Sequence, residues 1–539
     1  MYVLGIHGTF GRADHDAAAV LLHDGRIVAA AEEERFVRYK HAVGLMPDHA
    51  IRYVLGEAAI SMREVDVIAF PRATWLDFPA RFEAYLWYQF GRAPDVEYID
   101  HHLAHAASAY LISGFDQSLV VTADQAGDGI CAAVFRAAAG ELTPIETVPF
   151  PDSIGLYAAA MTQYLGYRSS HDEYKVMGLA AHGTPYPRQP LMAVEAGLPH
   201  LNTTLLHREV FHRHPMFHTD QLPMIAADAL PGFPARRLPG GPMTPDHADV
   251  AATAQAVIET AVHALVERHR RPTDTHLCVA GGVMENSVAV GKLLTHAGFT
   301  DIYAAPACGD AGTALGAALV VAAAHGHRPD RVEDTQLGPA FTDPDIAAVL
   351  RECAITSTLT HDPADSAAGL LAQGRIVAWF QGRMEYGPRA LGARSLLADP
   401  STAVMRERVN RIKRREQFRP FGPSVLAEHA GQLFGRSNIR APFMSFTLPT
   451  ADPGPIVAAT HVDGTSRPQT VPPGSGVYRR LIERFYERTG IPAVLNTSLN
   501  SGWEPIIADP AAALAFFYSC PADALVIGSH VVTKHDCGR

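Results

Sequence analysis

Short apolar runs that break at glycine set the pattern of the N-terminal half. YVLGIHG (residues 2–8) packs Tyr2, Val3, Leu4 and Ile6 into five positions, as a strand buried on both faces does. DAAAVLLHDGRIVAAAEEER (16–35) holds two such runs separated by Asp24-Gly25, a dipeptide that closes two-residue hairpins. QSLVVTADQAGDG (117–129) and THLCVAGGVMENS (275–287) are further β-type runs, each ending in a glycine turn. After the second, ENSVAVGKLLTHAG reads as a helix stopped at Gly298. Strands that feed glycine turns and then helices predict an α/β domain with ligands at the strand ends.

From about Pro185 to Pro245 periodicity fades and Pro, His and Gly accumulate, which predicts an insertion or a lid. A boundary is expected in DTQLGPAFTDPD (334–345), where turn residues interrupt the helical pattern. Beyond it, ADSAAGLLAQGRIVAWFQGRMEYGPRALGARS gives helix, strand and a turn rich in glycine and arginine. RERVNRIKRREQFRP (406–420) then forms the chain's basic cluster. Two α/β domains are therefore expected, over 1–335 and 345–539, and no repeat of solenoid period is present.

Composition narrows the class. The 539 residues are 47% hydrophobic and 19% charged, as in a globular protein, and the net charge of −11 disfavours nucleic acid as a partner. No apolar run approaches the roughly 20 residues of a membrane span, and the N-terminus lacks the pattern of a secretion signal. The six cysteines form no CxxC pair, which points to a reducing cytoplasm and against a disulfide framework.

The first candidate chemistry lies in DHHLAHAASAY (100–110). On a helix, His101 and His105 share one face a turn apart, where two imidazoles can reach one ion. Asp124, ending LVVTAD, and Asp310, opening a helix in PACGDAGTALGAA, could complete the set; each could equally be a simple cap. Two histidines with carboxylates suit Fe(II), with zinc or manganese open on spacing. The turns DQAGDG and AGGVMENS bring backbone amides near a ligand, although neither a P-loop nor a GxGxxG after a strand occurs. Arg389 and Arg419 lie in Pro- and Gly-shaped loops and Lys413 in the basic cluster, a setting for phosphate recognition.

Taken in order, HDAAAVLLHDG, AEEERFVRYKH, DHHLAHAASAY, EYKVMGLAAHG, GGVMENSVA, GDAGTALGAAL, QGRMEYGPRALGARSLLADP, REQFRPFGPSVL, HVDGTSRPQTV and NTSLNSGWEPII closely resemble the NodU/CmcH-type O-carbamoyltransferases over nearly the whole chain. The resemblance implies an N-terminal actin/Hsp70/sugar-kinase-like metalloprotein domain and a C-terminal YrdC-like α/β domain. It implies that the YrdC-like site makes carbamoyl adenylate from carbamoyl phosphate and ATP with Mg²⁺. The metal site then passes the carbamoyl group to a hydroxyl of a natural product, on a sugar or an aminoglycoside. Carried over by position, His101, His105, Asp124 and Asp310 hold the metal. Arg389, Lys413, Arg419, Arg467, Asn496 and Ser498 take carbamoyl phosphate and ATP, with Lys413 and Arg419 catalytic. Gly127, Lys175, Gly281, Gly282 and Asn286 face the adenylate, and His15 is the expected general base. Trp503 departs from the family's usual glycine before Glu504-Pro505. The alternative is a tRNA- or hydrogenase-maturation carbamoyl enzyme; the missing CxxC motifs and the domain order count against the hydrogenase-maturation type. A non-catalytic nucleotide-binding protein leaves the second domain's arginines unexplained. A small-molecule acceptor is the expected partner, with no nucleic acid or membrane, and a homodimer is the default oligomer.

Overall fold

The computed structural model describes residues 1–11, 15–72, 77–187, 189–211, 222–226 and 230–534. Two units emerge, Met1–Glu33 with Ala42–Val332, and Glu34–His41 with Glu333–Arg539. The second unit thus takes in a short N-terminal segment, Glu34–His41, that the sequence pattern assigns to the first domain.

In the first unit the apolar runs become two five-stranded sheets. One places Arg26–Glu32, Ala18–His23, Tyr2–His7, Val67–Phe70 and Asp95–Tyr98 side by side. Its first three strands are antiparallel, and the last two join in parallel. The other repeats this order and sense with Glu141–Pro149, Ile130–Ala138, Gln117–Gly127, His276–Ala280 and Asp301–Ala304. The unit is therefore an internal duplication carried by strand order, which a search for residue repeats does not meet.

A helix follows the last strand of each sheet, His101–Tyr110 and Ala311–Ala324. The alanines of the first and the alanines and glycines of the second let their backbones approach closely. A Cβ on Gly316 would fall 1.7 Å from the Ala104 carbonyl oxygen, and one on Gly5 would fall 2.0 Å from that of Ala314.

Asp24-Gly25 closes the expected hairpin with both residues at positive φ, 48° and 77°. Asp128-Gly129 does the same at 50° and 82°, so the first glycine turn leads back into Ile130–Ala138 and not into a helix. Only the second turn behaves as expected, passing through Gly282–Glu285 into the helix Ser287–His296. In the expected insertion, Met192–Glu195 and Leu198–Leu201 pair as a hairpin, while residues 188, 212–221 and 227–229 lie outside the described residues.

The second unit is built on a mixed eight-stranded sheet ordered Thr358–Leu359, His530–Thr533, Ala524–Ile527, Val377–Phe380, Arg394–Ala398, Ala493–Ser498, Gly422–Leu426 and Gln469–Val471. Its strands are apolar on both faces because both are covered. Ala378 and Phe380 pack with helices Asp343–Glu352, Ala403–Ile412 and Pro510–Ser519. Val377 and Trp379, one position out of phase, pack with Pro363–Ala372 and Gly476–Thr489. Among the described residues, no helix is long and apolar enough to cross a membrane.

Candidate metal centre and anion-binding loop

Asp100 starts the histidine helix by capping it: its Oδ1 accepts the Leu103 N–H at 2.8 Å. His101 and His105 then face the same side, with ring centroids 4.6 Å apart. Asp124 enters where the register of its strand shifts, between Ala123 and Gly127. Asp310 precedes the second helix, but its carboxylate makes no capping bond. It turns instead to the histidines. His105 Nε2 lies 3.0 Å from Asp124 Oδ2 and 3.4 Å from Asp310 Oδ1, and His101 Nε2 lies 3.6 and 3.7 Å from the same atoms.

The four ligand atoms lie within 4.8 Å of one another. Both imidazoles are buried, and among the described residues neither ring nitrogen of His101 has a hydrogen-bond partner. An unpaired buried polar atom is costly, and a divalent cation with nitrogen and oxygen preference satisfies this donor set. His102 is the contrast. Its nitrogens meet Thr122 Oγ1 at 2.8 Å and the Ile130 carbonyl at 3.1 Å, and burial with its histidine neighbours holds it down at about 3. Burial opposes a charge on His105 too, but Asp124 and Asp310 outweigh it and push that ring up to about 9.

The other expected residues take the following places around the cluster. A Cβ on Gly127 would fall 2.0 Å from His101 Cδ2, so this glycine makes room for the imidazole. Gly281 packs on the Ala123 carbonyl and Gly282 lies beside Asp124 Oδ1, which puts that turn at the same strand end. Asn286 caps its helix through the Ala289 N–H and exchanges amide hydrogen bonds with Gln255, so its side chain is engaged internally. His15 bonds Asp16 at 2.8 Å; burial opposes its charge, yet Asp16, Asp310 and Asp124 push it up to about 10. Lys175 pairs with Asp172 at 3.1 Å. The sequence pattern passed over His7, buried with Nδ1 3.2 Å from Thr313 Oγ1 and Nε2 3.8 Å from Asp310 Oδ2. Its place at a strand end was the available signal.

In the second unit the six expected anion-site residues hang on adjoining strands and loops. Lys413, at the end of helix Ala403–Ile412, is buried and donates to the Ser498 carbonyl at 2.5 Å, to Ser498 Oγ at 3.0 Å and to Asn500 Oδ1. Burial, with Arg415 and Arg419 nearby, holds it well below the ordinary lysine range. An incoming anion would offset that crowding. Asn496 stands two residues before Ser498 on the same face of Ala493–Ser498 and donates to the Ala390 carbonyl at 3.0 Å, which ties it to the Arg389 loop. Arg419 is mostly buried, 3.8 Å from Glu416, and the half-buried Arg467 rests its carbonyl against Gly422. Arg394, in the same PRALGAR stretch as Arg389, is a different kind of arginine. It is fully buried, stacked on Phe380 at 3.7 Å, and donates to the carbonyls of Gln381, Gly382 and Pro339.

With this geometry in place, comparison with known proteins settles the family. The profile described as "Carbamoyltransferase N-terminus" matches residues 3–84 and 84–319, and that described as "Carbamoyltransferase C-terminus" matches 368–534. The chain belongs to the carbamoyltransferase family. Nodulation protein NolNO of Sinorhizobium fredii is 36% identical over 567 aligned positions, covering 96% of this chain and 79% of that protein. The 3'-hydroxymethylcephem-O-carbamoyltransferase of Amycolatopsis lactamdurans is 36% identical over 248 positions, covering 45% of this chain and 46% of that one. Among solved structures, full-length HypF in its phosphate- and nucleotide-bound form is a remote likeness, with 13% identity, a TM-score of 0.35, and 60% of this chain and 46% of that chain covered. The chain is thus an enzyme of the class its motifs resemble.

Proposed function

We propose that this carbamoyltransferase makes carbamoyl adenylate from carbamoyl phosphate and ATP in its second unit, and delivers the carbamoyl group to a hydroxyl through its first. The acceptor we infer is a small natural product, on a sugar or an aminoglycoside. The observation that carries the reading is the quartet of buried His101 and His105 with half-buried Asp124 and Asp310, in which the His101 nitrogens have no hydrogen-bond partner among the described residues. Named O-carbamoyltransferases among the relatives support the same chemistry. The duplicated sheets suit an actin/Hsp70/sugar-kinase-like domain, and we take the mixed sheet of the second unit as YrdC-like.

In the second unit, Arg389, Arg419 and Arg467 neutralise two polyanions, and Lys413 adds a point charge fixed by Ser498 and Asn500. Atom balance sets the order. Water opens carbamoyl phosphate to carbamate and phosphate, and the carbamate oxygen then displaces pyrophosphate from the α-phosphorus of ATP. In the first unit, the quartet would hold Fe(II) or another divalent ion, which supplies Lewis-acid polarisation of a carbonyl or phosphoryl oxygen. Gly281, Gly282 and Lys175 form the surface proposed for the adenylate. His15, bonded to Asp16, is the residue proposed to take the proton that the acceptor hydroxyl loses as AMP departs.

The test is incubation with ATP, carbamoyl phosphate and a panel of glycosylated metabolites and aminoglycosides, followed by mass spectrometry. The expected result is a product heavier by one carbamoyl group, formed only when both ATP and carbamoyl phosphate are present. Neither carbamoyl adenylate nor a carbamoylated product from a folded, metal-loaded preparation would overturn the proposal.

A further inference from the structure

We infer that Glu385 is a positioning residue that sets the Arg389 loop for its anion; this rests on reading Arg389 as a ligand of carbamoyl phosphate. Glu385 is buried at 1% exposure. Its Oε1 accepts the N–H groups of Leu391 at 2.7 Å, Ala393 at 2.7 Å and Arg394 at 3.2 Å. One carboxylate oxygen thus joins the first residue of the loop to three amides at its end, and Arg389 lies in the turn so closed. The loop's carbonyls are fixed separately. Arg35 donates to Gly387 O at 2.8 Å, Asn496 to Ala390 O at 3.0 Å, Gln469 to Leu391 O at 2.8 Å and Trp379 to Gly392 O at 2.9 Å.

The carbonyls are therefore held by several side chains, while three neighbouring amides depend on one. Losing the carboxylate leaves those amides unpaired together, and the backbone must move to find acceptors. Arg389 moves with it. The carboxylate's other oxygen is buried without a hydrogen-bond partner among the described residues, and the hold of Glu385 on the loop runs through the three amides at Oε1.

The test uses the full chain with Glu385→Ala, Glu385→Gln, Arg389→Ala and the double Ala variant, and follows carbamoyl phosphate-dependent release of pyrophosphate from ATP. Glu385→Ala should raise the KM for carbamoyl phosphate by about 10- to 100-fold, the scale of an ångström's misplacement, with a smaller change in kcat. Glu385→Gln keeps an acceptor oxygen at the same reach and should restore most of the loss. Adding Arg389→Ala to Glu385→Ala should cost little more than either alone, because both act through one guanidinium. Should the alanine variant not fold, Glu385→Asp withdraws the oxygen by one methylene and takes its place. Multiplying effects, or a lowered Tm with an unchanged KM, would overturn the inference. An unchanged KM in Arg389→Ala would instead sink the reading of Arg389. Hydrogen exchange separates the two failures: if the Leu391, Ala393 and Arg394 amides exchange no faster in Glu385→Ala, Glu385 does not hold the loop, whatever Arg389 binds.

Discussion

Gly127→Ala adds one methyl group and removes no ligand, yet it should disable the metal centre. The new Cβ would stand 2.0 Å from His101 Cδ2, 2.2 Å from Cγ and 2.5 Å from Nε2. Carbon atoms in contact sit about 3.5 Å apart or more, so ring and methyl must separate by about 1.5 Å. The ring has little room, since it is buried with the His102 and His105 rings 5.4 and 4.6 Å away, centroid to centroid. Overpacking of this kind costs about 1–3 kcal/mol of stability, small enough for the protein to fold. The effect at the centre is larger, because an ångström's displacement of a reacting group costs up to about 100-fold in rate. The assays are metal content per chain after dialysis against a chelator, the carbamoyl-transfer rate, and a melt by circular dichroism. Gly56→Ala serves as the control, since it lies on the exposed face of helix Asp48–Glu57 with open space at its Cβ and should gain up to about 1 kcal/mol. A Gly127→Ala protein with wild-type metal content and wild-type transfer would refute the argument that His101 must sit where it does.

Other expectations can be checked in parallel. Lys413→Ala should stop carbamoyl-adenylate formation, with each lost charge-assisted bond worth about 1.5–3 kcal/mol, and supplied carbamoyl adenylate should restore acceptor modification; adenylate formation at the normal rate counts against the site. Arg394→Ala should lose about 3–5 kcal/mol in denaturant melts, because it strands buried carbonyls and empties the place beside Phe380. Arg389→Ala should melt close to wild type, and equal losses would show the two arginines to be alike. Burial pushes the Glu173 carboxyl up to about 7 from an ordinary 4.5. Between those values the folded state keeps a proton that the unfolded chain releases, so the stability from this group is full below pH 4.5 and declines as pH rises through 7. Glu173→Gln should therefore gain on wild type by on the order of 2 kcal/mol at pH 8 relative to pH 5; the same difference at both pH values refutes the shift.

The sequence by itself determined what periodicity and local chemistry can carry. Apolar runs marked the strands Tyr2–His7, Ala18–His23 and His276–Ala280, and Asp24-Gly25 marked its hairpin. The spacing of His101 and His105 put both on one helical face, and the order of long motifs fixed the family. These are properties of neighbouring residues, or of matched stretches, and need no knowledge of which element lies beside which.

Tertiary structure decided the rest, because convergence of distant strand ends leaves no period in a sequence. Only folding brought Asp124 and Asp310 to the same two imidazoles, and left the Asp310 carboxylate facing them without a capping bond. It revealed a duplication written in strand order and drew Glu34–His41 into the second unit. It also separated look-alikes: His101 from His102 by their partners, Arg389 from Arg394 by burial, and Gly127 from the other turn glycines by the ring it clears. Burial and partner distance set a side chain's role, and both depend on residues far along the chain.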